Sequence, residues 1–178
     1  VVYDGERKVS VQKSGECTYI FTASGLPERG YKTYGLGESE VGDGSKGNPT
    51  FSVSEHHLEN RYFSIRLNSK GQFAGILDKT AGRELFMPGK AGNVIMSYED
   101  RPHAWDINNY YEEKSLEVDQ VECIEVTEHG PVRACVTVTR RYLDSTIKQS
   151  IYLYHDIPRI DIRNQIEWKE HQIFLKTL

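Results

Sequence analysis

Hydrophobic and polar residues alternate most clearly between Leu58 and Phe86. Phe63, Ile65 and Leu67 take every second position, with Ser64, Arg66 and Asn68 between them, the period-two signature of a strand with one buried face. Asn68-Ser69-Lys70-Gly71 supplies turn residues, Gly71 being free to adopt positive φ. Phe73 to Leu77 predicts the returning strand, Asp78 to Gly82 a second tight turn, and Arg83 to Phe86 the start of a third strand. The pattern is that of an antiparallel meander of short strands.

The same reading extends in both directions. Lys8 to Lys13 and Cys17 to Ala23 predict two strands joined at Ser14-Gly15, and Tyr31 to Leu36 a third after the Gly25-Leu26-Pro27 turn. From Gly35 to Pro49 the chain turns glycine-rich and acidic, predicting a linker or long loop. Its glycine spacing misses the dinucleotide-binding fingerprint, which also needs a strand-to-helix context. Past the loop at Pro88 to Gly92, Asn93 to Tyr98 predicts another strand. Leu116 to Val126 alternates but slips parity at Asp119-Gln120, as a β-bulge would cause. After the Glu128 to Pro131 turn, Val132, Ala134, Val136 and Val138 share one face, opposite Arg133, Thr137, Thr139 and Arg141. Ile147, Ile151 and Leu153 continue the apolar face beyond an Asp144-Ser145 turn. Ile160, Ile162, Ile166 and Trp168 do so beyond Asp156-Ile157-Pro158, with Asp161, Arg163 and Glu167 opposite. No long stretch carries helical periodicity. The expectation is an all-β chain folded as an antiparallel sandwich or barrel, with one solvated polar face. A chain that opens at Val1 without Met and closes inside the strand-like Phe174 to Leu178 reads as a piece of a longer protein.

Composition narrows the classes of partner. The 178 residues are 38% hydrophobic and 11% aromatic, enough for a packed core. A net charge of −4 and a pI near 5.9, with acids and bases interspersed, lack the basic stripe that nucleic acid requires. No apolar run approaches the ~20 residues that span a bilayer. Cys17, Cys123 and Cys135 are odd in number and none has metal-ligand spacing. Each lies in a strand-like run, which predicts small buried residues and a reducing, cytoplasmic setting. The Asn48-Pro49-Thr50 match to the glycosylation signal is blocked by its proline.

Candidate chemistry concentrates between Tyr98 and Tyr111. Glu99, Asp100, Trp105, Asp106, Tyr110 and Tyr111, with His103, put carboxylates, an imidazole and aromatic rings on one loop. Sugar sites use this mixture: rings stack on the apolar face of a pyranose and carboxylates accept its hydroxyl protons. Paired carboxylates also perform general acid and base work on glycosidic bonds. The same residues fit an ordinary inter-strand loop, with Trp105 plugging the edge of the core and the carboxylates bound to backbone amides or Arg101. Adjacent His56 and His57 point to opposite faces of a strand, so a shared metal ion is not expected there. No nucleophile elbow and no His-Glu-x-x-His motif occurs.

Four segments together resemble one family. Tyr62-Phe63-Ser64-Ile65 and Ile76 to Leu85, then Gly92-Asn93 with Glu99 to Pro102 and Ala104 to Tyr111, then Arg163 to Lys176, resemble the C-terminal region of glycoside hydrolase family 38 α-mannosidases. Leu26 to Tyr34 is similar to the end of the small β-domain that precedes that region. The resemblance implies a β-sandwich of the galactose-mutarotase-like supersandwich type over residues 51–178, truncated at its C-terminus. A remnant of the small β-domain would occupy 1–36 and a linker or long loop 37–50. It further implies a retaining α-mannosidase whose zinc ion and catalytic residues, an Asp nucleophile among them, lie in an α/β barrel outside this sequence. The chain itself would then bear no catalytic residue and no metal. The barrel would be its intramolecular partner and α-mannosides the substrates, with Glu99 to Tyr111 as the loop that reaches the sugar. At Asn108, where many members carry Asp, this chain lacks the second carboxylate of the motif. The alternative readings are an autonomous carbohydrate-binding module using Trp105, Asp106, Tyr110 and Tyr111, and an aldose-epimerase-like enzyme with His103 as acid and Glu99 as base.

Overall fold

The computed structural model describes residues 1–38, 51–101, 105–107 and 109–178. Most of the predicted loop 37–50, and the candidates His103 and Asn108, therefore lie outside the described residues. Among those residues the chain is all-β apart from one 3-10 turn, and every strand pair is antiparallel. The fold is an antiparallel β-sandwich.

The first 38 residues form two small sheets. β1 (Val2–Asp4) pairs with β2 (Arg7–Val9); β3 (Val11–Lys13) pairs with β4 (Tyr19–Phe21); β5 (Gly35–Leu36) returns to β1. The single strand expected over Lys8 to Lys13 is thus two, belonging to different sheets, and the one expected from Tyr31 shrinks to Gly35–Leu36. The β3–β4 hairpin docks on the sandwich through Gln12. The Gln12 Oε1 atom accepts from the backbone N–H groups of Val132 (3.0 Å) and Arg133 (2.8 Å), while its Nε2 donates to Glu128 (3.0 Å). Arg133 grips the same carboxylate through Nε (2.7 Å) and Nη2 (2.8 Å) and also donates to Ser14 Oγ (3.0 Å). The Gln12 side chain lies over Gly130, where a Cβ would fall 2.3 Å from its amide carbon.

The larger sheet, in the order β10-β9-β8-β7-β6, comprises β6 (Ser52–Ser54), β7 (His57–Glu59), β8 (Phe63–Leu67), β9 (Phe73–Asp78) and β10 (Arg83–Glu84). Its turns form as their residues dictate. Asn68 Oδ1 accepts from Lys70 N and Gln72 N, both at 3.0 Å, and Gly71 sits at φ +68°. Asp78 Oδ1 likewise accepts from Thr80 N, Thr80 Oγ1 and Ala81 N. A three-stranded sheet follows, built on β11 (Ile95–Glu99), with β12 (Ser115–Glu117) on one side and β17 (Ile173–Thr177) on the other. The third large element is a run of long strands: β13 (Val121–His129), β14 (Arg133–Tyr142), β15 (Ser145–Tyr154) and β16 (Ile160–Glu167), in that order.

The five- and four-stranded sheets pack face to face. Leu58, Ile65, Leu67, Phe73 and Ile76 from one meet Ala134, Val136, Ile151 and Leu153 from the other, with Phe51 at the rim. Each of the Val, Leu, Ile and Phe side chains among them contributes roughly 1.5–3 kcal/mol through burial. A second, smaller core of Ile95, Val118 and Ile147 joins the three-stranded sheet to the end of β15.

Three expectations need correction. The parity slip at Asp119-Gln120 is not a bulge: there the chain leaves one sheet as β12 and enters another as β13. The register shifts of that strand fall at Val121/Cys123 and Val126/Glu128 instead. The polar face of β14 is not openly solvated, because Cys135 and Thr137 are buried and Thr137 Oγ1 shares hydrogen bonds with Thr127 (2.9 Å) and Ser150 (3.1 Å). Finally, Cys17 and Cys123 are exposed and only Cys135 is buried; all three are free thiols.

The apolar face of β14 also carries a cation. Arg140, 1% exposed, follows Val136 and Val138 in the alternation and donates through Nη2 to the carbonyls of Lys70 (2.9 Å) and Gly71 (3.0 Å). Beside it, Gln149 exchanges hydrogen bonds with Asn93 (2.6 and 3.1 Å) and donates to Asn164 (2.9 Å). The guanidinium thus caps the β8–β9 turn from inside the sandwich. Burial without a carboxylate partner lowers its pKa to about 10.

Candidate functional site

The candidate loop leaves the end of β11 and re-enters at β12. Its base is an aromatic cluster. Tyr98, buried on β11, stacks on Phe174 of β17 (centroids 5.3 Å apart) and meets the edge of Tyr111 (5.1 Å), while Tyr111 also touches Phe174 (5.5 Å). Antiparallel pairing of Tyr98 with Phe174 places these rings together, and the 3-10 turn Tyr111–Glu113 brings in the third. Tyr111 O–H donates to Glu112 (2.9 Å) and accepts from Lys176 Nζ (2.8 Å), whose pKa is raised chiefly by that bond.

Glu99 closes the neck of the loop. Its backbone N–H donates to the Lys114 carbonyl (3.3 Å) and its carboxylate pairs with Lys114 (3.0 Å) and Arg101 (3.5 Å). The Lys114 contact, followed by Arg101, holds the Glu99 carboxyl below its ordinary range. A carboxylate so placed accepts hydrogen bonds and is a poor proton donor. Asp100 is fixed by its backbone N–H to the Gln172 carbonyl (2.7 Å).

These residues line a small surface cleft. Glu99, Asp100, Tyr110 and Tyr111 meet there with Arg101, Ile107, Glu113 and Lys114. Trp105 and Asp106 do not join the lining; they stand on the exposed arc of the loop, Trp105 at 96% exposure. The indole therefore does not plug the core edge, the place in the base being taken by Tyr98, Tyr111 and Phe174. The alternative expected for the carboxylates holds for Glu99 through Arg101.

Sequence reading missed Lys114 and Lys176. The first joins Glu99 because β12 returns beside β11; the second reaches Tyr111 from the opposite edge of the same sheet. A Lys every few residues in strand-like sequence carries no signal of such convergence. The adjacent histidines separate: His57 meets Ser64 Oγ (3.1 Å) and Glu59 (3.2 Å). Among the described residues no three His, Cys, Asp or Glu side chains converge as metal ligands. The resemblance places its zinc ion in a barrel outside this sequence, and the residues described here offer no ligand set for one.

An antiparallel sandwich with an aromatic-rooted polar loop defines a fold and a surface. Comparison with known proteins supplies the family. Residues 58–178 match the description "Glycosyl hydrolases family 38 C-terminal domain". The chain belongs to that family. It is also 24% identical, in an alignment of 172 positions that covers 85% of this chain, to Alpha-mannosidase G of Dictyostelium discoideum. The match spans only 16% of that relative. Among the described residues no helix is long and apolar enough to cross a membrane.

Proposed function

We propose that this chain is the sandwich portion of a retaining α-mannosidase, in which it supports a separate catalytic α/β barrel and presents the loop around residues 99–111 to the α-mannoside. The observation that carries the sugar contact is Trp105: a nearly fully exposed indole beside Asp106 on a loop whose base is locked by three packed rings. Exposed aromatic faces stack on sugar rings, and neighbouring carboxylates accept hydroxyl protons. Zinc and the nucleophile belong to the barrel. Residues 1–36, 37–50 and 51–178 are read as the end of a small β-domain, a linker and the sandwich. Three free cysteines, two of them exposed, support a reducing, cytoplasmic setting.

The test is hydrolysis of an aryl α-mannoside by the full-length zinc-loaded protein, with the 178-residue chain as blank. Turnover appears only in the long protein. Trp105→Ala and Asp106→Ala in the full-length protein each lower kcat/KM by about 10-fold or more, a loss of about 1.4 kcal/mol in transition-state stabilisation, with thermal stability unchanged. Hydrolysis by the short chain alone, or normal kcat/KM in both variants, refutes the reading. The exposed Trp105 also favours a second reading, an autonomous sugar-binding module. Under it, millimolar mannose or α-mannobiose shifts the tryptophan fluorescence of the short chain, and no shift rejects it.

A further inference from the structure

Alternate positions at the root of β17 and along it hold both limbs of the candidate loop. At Gln172, just ahead of the strand, the backbone carbonyl accepts the N–H of Asp100 (2.7 Å) on the outgoing limb. Gln172 does this in the left-handed region, at φ +57°, which is uncommon for any residue but glycine. Phe174 lies against the Tyr111 ring on the returning limb, with centroids 5.5 Å apart. Lys176 donates through Nζ to the Tyr111 hydroxyl (2.8 Å). Alternate residues of a strand share a face, so the ring and the hydroxyl of Tyr111 are held from one side of one strand.

Packing against Tyr98 and Phe174 needs only an aromatic ring, which a phenylalanine at position 111 would supply. The hydroxyl does something further. It accepts from Lys176 and donates to Glu112 (2.9 Å), and so ties the 3-10 turn Tyr111–Glu113 to β17. Ile107 lines the cleft together with Tyr110 and Tyr111, which puts the tied turn against the exposed arc of the loop. Among the described residues Trp105 and Asp106 form no hydrogen bond or ion pair. Their place is set by the limbs that carry them.

We propose that Lys176 is a positioning residue for the sugar contact: acting through the Tyr111 hydroxyl, it holds the returning limb so that Trp105 and Asp106 are already in place when the ligand arrives. This rests on the reading of the loop as the part that meets the α-mannoside. A loop ordered in advance does not charge its ordering to the binding step. The Lys176 side chain is 43% exposed, and an ammonium so exposed adds little to global stability. Positioning and stability therefore separate on substitution.

The test combines aryl α-mannoside kinetics with peptide-resolved hydrogen exchange, both on the full-length protein. Lys176→Met keeps the aliphatic stem and loses the ammonium; Tyr111→Phe keeps the ring and loses the hydroxyl. Each raises KM about 5-fold or more with kcat little changed, because the limb must then be ordered on binding. Each also speeds amide exchange across residues 105–113 by about 5-fold or more, while the melting temperature and exchange in the long strands stay as they were. The double variant is no worse than either single change, since both remove one contact. Lys176→Arg, which can still donate to the hydroxyl, recovers most of the loss. Normal KM or unchanged loop exchange in Lys176→Met, or additive losses in the double variant, overturns the proposal. Trp105→Ala in the same assay separates the two ways of failing. Lost activity there beside a normal Lys176→Met refutes the positioning alone, whereas normal kcat/KM in Trp105→Ala refutes the sugar contact and the positioning with it.

Discussion

Gly71→Ala tests the account of the sandwich interior most directly, because a matched control exists on the same sheet. Gly71 (φ +68°) and Gly82 (φ +63°) both close hairpin turns in the left-handed region, where a Cβ costs roughly 1–2 kcal/mol. The restriction of the unfolded chain returns about 0.4–1 kcal/mol in each case. The two sites differ in what surrounds them. A Cβ at Gly82 meets nothing within 4 Å, whereas one at Gly71 falls 2.5 and 2.8 Å from the Val138 methyls and 2.9 Å from Arg140 Nη2. Val138 is fully buried and Arg140 is held by the carbonyls it caps, so neither moves freely. Overpacking of this kind costs typically ~1–3 kcal/mol, and displacing the guanidinium from two buried carbonyls adds about 1–3 kcal/mol.

The expected losses are therefore about 1 kcal/mol for Gly82→Ala and about 3 kcal/mol or more for Gly71→Ala. Urea denaturation of the 178-residue chain, with slopes compared to confirm a common unfolded state, gives both numbers. In thermal melts a difference near 2 kcal/mol corresponds to roughly 4–8 °C between the variants. Equal destabilisation, within about 0.5 kcal/mol, would show that the turn stands clear of Val138 and Arg140 and would remove the case for an internal cap.

Gln12→Ala leaves two backbone N–H groups and the Glu128 carboxylate without their amide partner, so a loss of about 1–3 kcal/mol is expected. It should come with faster proteolysis of the first 38 residues while the sandwich stays resistant; uniform cleavage would contradict the docking. Glu59, whose carboxylate meets Lys79 foremost and His57 next, has a lowered pKa. The unfolded state then binds more protons than the folded one as pH falls below the ordinary value near 4.5, so this stability is present at neutral pH and lost through the folded pKa. Glu59→Gln should flatten that acid limb while lowering neutral stability by less than about 1 kcal/mol, the group being partly exposed; an unchanged acid limb in urea titrations would refute the assignment.

Much of the fold was legible because alternation reports a face directly. Phe63, Ile65 and Leu67, and Val132, Ala134, Val136 and Val138, were read as apolar rows, and all but Phe63 are fully sequestered. What alternation does not report is the identity of the neighbouring strand. The slip at Asp119-Gln120 looks the same whether a strand bulges or changes sheets, and only the partners of β12 and β13 decide it. Arg140 was missed for a related reason: a guanidinium on an apolar row has no local signature, since its acceptors are carbonyls some seventy residues earlier. Cys123 was misread because a strand position in an edge ladder is not a buried one. At the candidate site the acids and rings were visible in sequence as a cluster, but Lys114 and Lys176 reach it only through strand pairing.

The loop's construction separates residues that fold it from residues that do not. Both ends are tied at the neck, by Tyr98 paired with Ser115 and by the Glu99 and Lys114 backbones, with the Glu99 carboxylate on Lys114 as a second clasp. Beneath the neck lie Tyr98, Tyr111 and Phe174, which supply the burial that holds it. Loops anchored at both ends on a rigid scaffold are where binding residues concentrate. Removing Tyr111 takes away packing, and removing Glu99 takes away the clasp. Removing the Trp105 indole takes away almost nothing the folded chain uses, for it is 96% exposed. An indole this exposed can be removed without disturbing the packing of the folded chain. That division of labour is why a loss of activity in Trp105→Ala, at constant stability, reads as contact with a ligand, whereas the same loss in Tyr111→Ala would not.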